Sequence, residues 1–210
     1  MRRRRVLAAG TGLVSASSLA GCTTGSGSGG EPTPPLLRFR PTAFESGGVV
    51  PERFTCEADD GSGTSPPFAV ESVPPPTEAL GLVVELPDNV GSTFTHWLLW
   101  NLPPDLGTVP AGLPAEPTLP SLGGARQGRN GTGRVGYVGL CPPPTGQPRE
   151  YWFTLYAFRR ELDVPAGAGR DAFDDAAETA TLASRRLVAR FGRSPPDEDG
   201  DGSPTRTPLS

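Results

Sequence analysis

The stretch LVVELPDNVGSTFTHWLLWNLP, residues 82–103, sets two runs rich in Val, Leu, Trp and Phe on either side of a Pro-Asp-Asn-Val-Gly turn. Runs of this length and residue type read as two buried β-strands joined by a loop. The second run carries His96, the only histidine in the chain. A Ser-His-Asp triad could therefore run only through His96, and a metal site built on two or more histidines is excluded.

Working outward, Tyr151 to Phe158 (YWFTLYAF) is apolar on both alternating faces and predicts a strand that must be covered on both sides. Leu36 to Phe39 alternates weakly and predicts a first strand. Pro103 to Gly133 is dense in Pro and Gly and predicts a long irregular connection, of a length that usually serves function. From Asp171 to Phe191, apolar residues at three- and four-residue spacings, with Gly192 just beyond, predict an amphipathic helix packed on the sheet. The expected architecture is mainly β, with one or two helices near the C-terminus.

The 210 residues suffice for one domain with tails. Gly (28) and Pro (26) are abundant, and eight of them fall in residues 21–35. All 19 basic residues are arginine, against 23 acids, a composition that fits a salt-adapted, GC-rich source, such as a halophilic archaeon. Without the first 21 residues the balance is 15 arginines against 23 acids, a net charge of −8. Nucleic-acid binding needs clustered positive charge and is not expected of such a domain.

Arg2 to Arg5, the small-residue apolar run Val6 to Ala20, and Leu19-Ala20-Gly21-Cys22 follow the order of an export signal. The arginines resemble a twin-arginine signal over residues 1–21, and LAGC resembles a lipobox in which Cys22 is lipidated. Residues 22–35 read as a flexible linker, 36–193 as the folded domain and 194–210 as a disordered acidic tail. The expected location is the outer face of the cytoplasmic membrane, held there by the lipid. The DEDGD run in the tail lacks the other ligands of a calcium loop. Two thiols, Cys56 and Cys141, then remain; export favours a disulfide between them, and two separate buried thiols are the other possibility. Asn130-Gly131-Thr132 matches the N-glycosylation pattern. No glycine-rich phosphate loop or nucleophile elbow is present, so no cofactor is expected.

Several motifs occur in a fixed order: FESGGVVPERFTC, SPPFAVESVP, PD followed by THWLLWNLP, GYVGLCPPPTG, REYWFTLYAF and LASRRLVARFGR. In that order they resemble the phosphatidylethanolamine-binding protein family, in its bacterial and archaeal Raf kinase inhibitor-like branch. The resemblance implies a Greek-key β-sandwich with a small anion-binding pocket at one end. It places that pocket on Asp88, His96, Gly139, Cys141, Pro142, Arg149 and Tyr151. Leu86 stands where the family has the first acid of its Asp-Pro-Asp motif, and Arg149 stands where it has a histidine. Both changes make the pocket more positive.

Arg149 and Tyr151, two apart in a strand, share a face and offer a planar guanidinium and a hydroxyl to an anion. One outcome is an Arg-centred anion site; the other is a pocket filled by Leu86 with Arg149 turned to solvent. Asp88 either orients His96 or caps the turn after Pro87. The function expected from the resemblance is non-catalytic binding of a small anionic or phosphorylated ligand by a membrane-tethered domain. The alternative is an inhibitor or interaction protein acting on an extracytoplasmic partner such as a serine protease, through the Pro-rich connection.

Overall fold

A computed structural model describes residues 36–87 and 93–194. The expected export signal, Cys22, the expected linker, Asp88 and nearly all of the segment expected to be an acidic tail lie outside the described residues. A three-stranded antiparallel sheet has the order β1 (Arg38–Pro41), β2 (Phe68–Ser72), β5 (Thr108–Val109). A six-stranded antiparallel sheet runs β6 (Thr118–Leu119), β7 (Ala125–Gln127), β4 (Thr93–Leu102), β3 (Ala79–Pro87), β8 (Arg149–Phe158), β9 (Thr181–Phe191). The fold is mainly β, as expected.

The continuous apolar runs of β3, β4 and β8 are explained by cover on both sides. Leu80, Leu82, Val84, Trp97, Leu99, Phe153 and Leu155 face the small sheet, where Phe39, Phe54 and Phe68 complete one core. Ala79, Val83, Leu98, Trp100 and Phe158 face the other way and pack under Phe173, Ala177 and Ala180 of the helix α1 (Arg170–Ala180). Gly81 is required at its position, because a Cβ there would come within 2.7 Å of the Phe158 ring. The Pro-rich connection is pinned from inside. Buried Gln127 donates to Pro114 O (2.7 Å) and Glu116 O (2.8 Å) and accepts from Trp97 Nε1 (2.7 Å).

The helix expected over Asp171–Phe191 is corrected. It stops at Ala180, and Thr181–Phe191 is a strand paired with β8 from Arg149↔Phe191 to Phe158↔Thr181. The apolar spacing of Leu187, Ala189 and Phe191 also fits period two, and β8 offers an unpaired edge. Ladder pairing along ten residues outweighs the helical preference of a segment with Thr181 and Val188. Gly192 therefore follows a strand rather than a helix.

Candidate functional site

Strand β4 meets β3 with two breaks in register. The pairing passes from Gly81↔Trp100 to Leu80↔Leu102 over Asn101, and from Val84↔Trp97 to Glu85↔Thr95 over His96. Each skipped residue is a β-bulge, a device that re-aims a side chain. Strict alternation from Trp97 would send His96 to the helix side of the sheet. The bulge instead brings its ring to Tyr151, with centroids 5.4 Å apart, and to Phe94 at 4.8 Å.

His96 is 2% exposed, and its Nδ1 lies 3.0 Å from Val138 O. A carbonyl only accepts, so Nδ1 carries the proton and Nε2 presents a lone pair. Burial lowers the His96 pKa to about 4, against the opposing effect of the carbonyl bonds to Val138 and Gly139, and the ring is neutral at neutral pH. The Tyr151 hydroxyl is fully buried. Burial pushes its pKa well above the ordinary tyrosine value, while the nearby charge of Arg149 pulls the other way. Among the described residues neither His96 Nε2 nor Tyr151 OH has a hydrogen-bond partner. Two such atoms within one aromatic cluster are costly unless something polar meets them.

The loop from Gly139 closes the site. Gly139 N donates to Ser62 O (2.9 Å), Leu140 N to Phe54 O (3.3 Å), and Cys56 N to Leu140 O (3.1 Å). A Cβ on Gly139 would fall 2.7 Å from Thr55 C, so only glycine lets the two backbones approach this closely. Cys56 and Cys141 are disulfide-bonded across 85 residues, fastening this loop to the segment after Phe54. Pro142 is buried beside them. Arg149, half-buried, opens β8 opposite Phe191. Leu86, where the family has an acid, is half-buried and packs against the main core.

Two residues at this end escaped the sequence reading. Tyr137 donates to Phe54 O (2.5 Å), and its position two residues before Gly139 was the available signal. Arg193 places Nη1 3.6 Å from Cys141 Sγ and Nε 3.6 Å from Glu57 Oε1, a meeting set by the β8–β9 pairing and not visible in spacing. Asn130 has a structural part to play. It is buried, its Nδ2 donates to Gly136 O (3.0 Å), and its Oδ1 accepts from Thr132 N (2.9 Å) and Thr132 Oγ1 (2.6 Å). Glycosylation would attach at this same buried Nδ2, whose N–H holds Gly136 O. No cluster of three or more metal-ligating side chains occurs among the described residues.

The family described as Phosphatidylethanolamine-binding protein matches residues 40–192. The chain is 35% identical over 157 residues to a UPF0098 protein of Methanothermobacter thermautotrophicus, covering 75% of this chain and 99% of that protein. It is 31% identical over 209 residues to the Mycobacterium tuberculosis protein that carries the lipoprotein name LppC, covering 91% of this chain and 97% of that one. The fold is similar to the phosphatidylethanolamine-binding protein homologue CT736 of Chlamydia trachomatis, with a TM-score of 0.65, 26% identity, and coverage of 76% of this chain and 99% of that chain. The same fold is found in Escherichia coli YbcL, with a TM-score of 0.65, 23% identity, and coverage of 74% and 98%. The match over 40–192 takes in both sheets, the bulge that turns His96 and the disulfide-held Gly139 loop, and it makes this chain a member of the phosphatidylethanolamine-binding protein family.

Proposed function

We propose that the domain is a non-catalytic receptor for a small anion, a phosphate or phosphate monoester that brings its own proton, held extracytoplasmically on a lipid anchor at Cys22. The observation that carries this reading is the pair of buried, unpartnered polar atoms, His96 Nε2 and Tyr151 OH, on the strand face that also presents Arg149. Arg149 supplies positive charge and a planar set of donors, and Tyr151 supplies one hydroxyl donor. Neutral His96 can only accept at Nε2, which suits a ligand oxygen that carries hydrogen. Gly139, Cys141 and Pro142 line the rigid side, and Asp88, which lies between β3 and β4 in sequence, is the remaining candidate. The relative named as a lipoprotein supports the anchor.

The test is calorimetric titration of the unlipidated chain Thr23–Ser210 with inorganic phosphate and with phosphoethanolamine, wild type beside Arg149→Gln. The matched domain spans 99% of the Methanothermobacter relative, so it is a complete folding unit without the N-terminal segment. Saturable binding should weaken about 10- to 100-fold in the variant, as expected for losing a charge-assisted bond. Binding should strengthen, with proton uptake, as the pH falls from 7 towards 5, because the singly protonated form of the ligand, the one from which neutral His96 can accept, becomes the dominant species below its second pKa of about 6. Equal titrations for the two proteins at every pH would sink the reading.

A second reading, an inhibitor or interaction protein for an extracytoplasmic partner such as a serine protease, draws on a groove of about 970 Å³ beside the Pro-rich connection. Leu113, Arg129, Arg134 and Tyr137 are among the residues that line it. Deleting the connection would orphan the Gln127 bonds, so Arg129→Gln/Arg134→Gln is the informative variant. Partner capture lost with that pair but retained in Arg149→Gln would favour this second reading.

A further inference from the structure

The charges of the domain are sorted by element. Helix α1 holds Asp171, Asp174, Asp175 and Glu178 against Arg170 alone, whereas β9 holds Arg185, Arg186 and Arg190 and no acid. β9 is an edge strand of the large sheet, and all three of its arginines are exposed. Arg38 on β1 faces the same edge, across a groove of about 510 Å³ that Leu36, Ala183, Arg185 and Leu187 also line. Of the acids nearby, Glu71, which also lines the groove, is paired with Arg40 (2.8 Å) and Glu150 with Arg190 (3.4 Å), while exposed Glu45 belongs to the segment whose Gly47 N donates to Val188 O. Arg38, Arg185 and Arg186 have no acidic partner among the described residues; Arg186 lies 3.8 Å from the Trp152 ring centroid and donates to Thr154 Oγ1 (3.2 Å), which holds its charge in place.

The same edge carries exposed aliphatic side chains. Leu36 is 63% exposed at the groove, and Val49 is 71% exposed where its segment bridges to Arg190. These are two of the three exposed large hydrophobic residues among the described residues. Ala183 to Arg190 spans about 23 Å of strand, and between the two aliphatic residues Arg185, towards the groove, and Arg186, on the opposite face beside Trp152, put one unpaired guanidinium on each side of this edge.

We infer that the β1–β9 edge is a docking surface for an anionic lipid bilayer. Leu36 and Val49 enter the interface, and Arg38, Arg185 and Arg186 lie over the headgroups. Three points select this occupant. Aliphatic residues beside arginines suit a surface with charged headgroups and acyl chains below, and a nucleic acid has no use for Leu36 or Val49. A second copy paired through β9 would set rows of arginine against each other, which is destabilising. Leu36 at the groove stands fourteen residues after Cys22 in the chain, so a lipid tether at Cys22 would hold this side of the domain near the membrane. The inference takes only that side from the tether reading and does not rest on the pocket.

The experiment is flotation of unlipidated Thr23–Ser210 with phosphatidylcholine vesicles, with and without phosphatidylglycerol. Binding is expected only with phosphatidylglycerol and should fade in 1 M salt, where the screening length is about 3 Å. Each arginine near an anionic surface contributes about a fivefold gain in partitioning, so Arg38→Gln/Arg185→Gln/Arg186→Gln should lose about 100-fold. Leu36→Ser/Val49→Ser should lose roughly tenfold, and Arg159→Gln/Arg160→Gln, near α1, should change nothing. Unfolding temperatures of the variants separate loss of docking from loss of fold. Equal binding to both vesicle types, or a triple variant that folds and still floats, overturns the inference. Loss in Arg149→Gln with retention in the triple variant overturns it too, by moving lipid recognition to the pocket.

Discussion

The two bulges of β4 sit five residues apart and are treated in opposite ways. At Asn101 the backbone takes φ of 56°, in the left-handed region, which asparagine tolerates better than most residues. Its amide behaves like a peptide group: Nδ2 donates to Leu162 O (3.0 Å) and Oδ1 accepts from Leu162 N (2.8 Å). Every polar atom of that side chain is answered, and the segment after β8 is stitched onto the sheet. At His96 only one ring nitrogen is answered, and the neighbouring Tyr151 hydroxyl is left open as well. One bulge closes the fold, and the other holds an unfavourable polar surface in place. A protein keeps such a surface where something else completes it, which is why the His96 end is the candidate site and the Asn101 end is not.

The largest expected effect tests what holds the open end in place. The disulfide closes a loop of 85 residues, and its loss in Cys56→Ser/Cys141→Ser should destabilise the chain by roughly 4–5 kcal/mol in the loop-entropy model. Denaturant unfolding gives the total. Hydrogen exchange should show the loss of local protection concentrated in residues 137–142, with the Leu162 amide less affected. Uniform loss at both ends would show that the bridge does not serve the site in particular.

Next comes the closed end. Asn101→Ala removes both bonds to Leu162 and leaves a buried N–H and C=O unpaired, so a loss of about 3–4 kcal/mol in thermal or denaturant unfolding is expected. Asn101→Gly relieves the backbone but not the lost bonds and should recover only a fraction. A cost below about 1 kcal/mol for the alanine variant would mean that water replaces the amide, and the contrast between the bulges would shrink.

Third in size is the acid response of the open end. The folded chain refuses a proton at His96 until about pH 4, whereas the unfolded chain takes it near 6.5. His96 therefore contributes fully above pH 6.5, and its contribution fades as the pH falls towards 4, by up to about 3 kcal/mol. Comparing stability from pH 7 to 4.5 in wild type and His96→Gln isolates this slope from that of the carboxylates. Parallel profiles would falsify the burial of a neutral imidazole.

The smallest expected effect is on stability at Arg149. Arg149→Gln should leave the unfolding temperature nearly unchanged, within about 0.5 kcal/mol, because a half-exposed arginine without a described ion pair supports little of the fold. A larger loss would make Arg149 a structural residue and weaken its reading as the charged wall of the pocket.

How far the sequence carried can be followed residue by residue. The two-sided burial of YWFTLYAF was legible because no polar face exists for water to meet, and the structure covers both faces. The central hairpin was legible from its apolar runs and Pro-Asp-Asn-Val-Gly turn. The last segment was not legible, because three- and four-residue spacing and alternation both fit LASRRLVARF, and only the free edge of β8 decides between them. Asn130 matched a modification motif whose three letters say nothing of the bonds that bury its amide.

By itself, then, the sequence determined what local chemistry controls: the mainly β class, the single neutral-or-charged switch at His96, the glycine at 139, the two cysteines available to pair, and the family. The tertiary structure alone decided which contacts between distant segments form. It turned His96 towards Tyr151 by a bulge, joined Cys56 to Cys141, brought Arg193 to the Gly139 loop, and set Arg38 and Arg185 across one groove. The reason is that register and pairing arise from competition among whole strands for edges and cover. No window of neighbouring residues contains that competition.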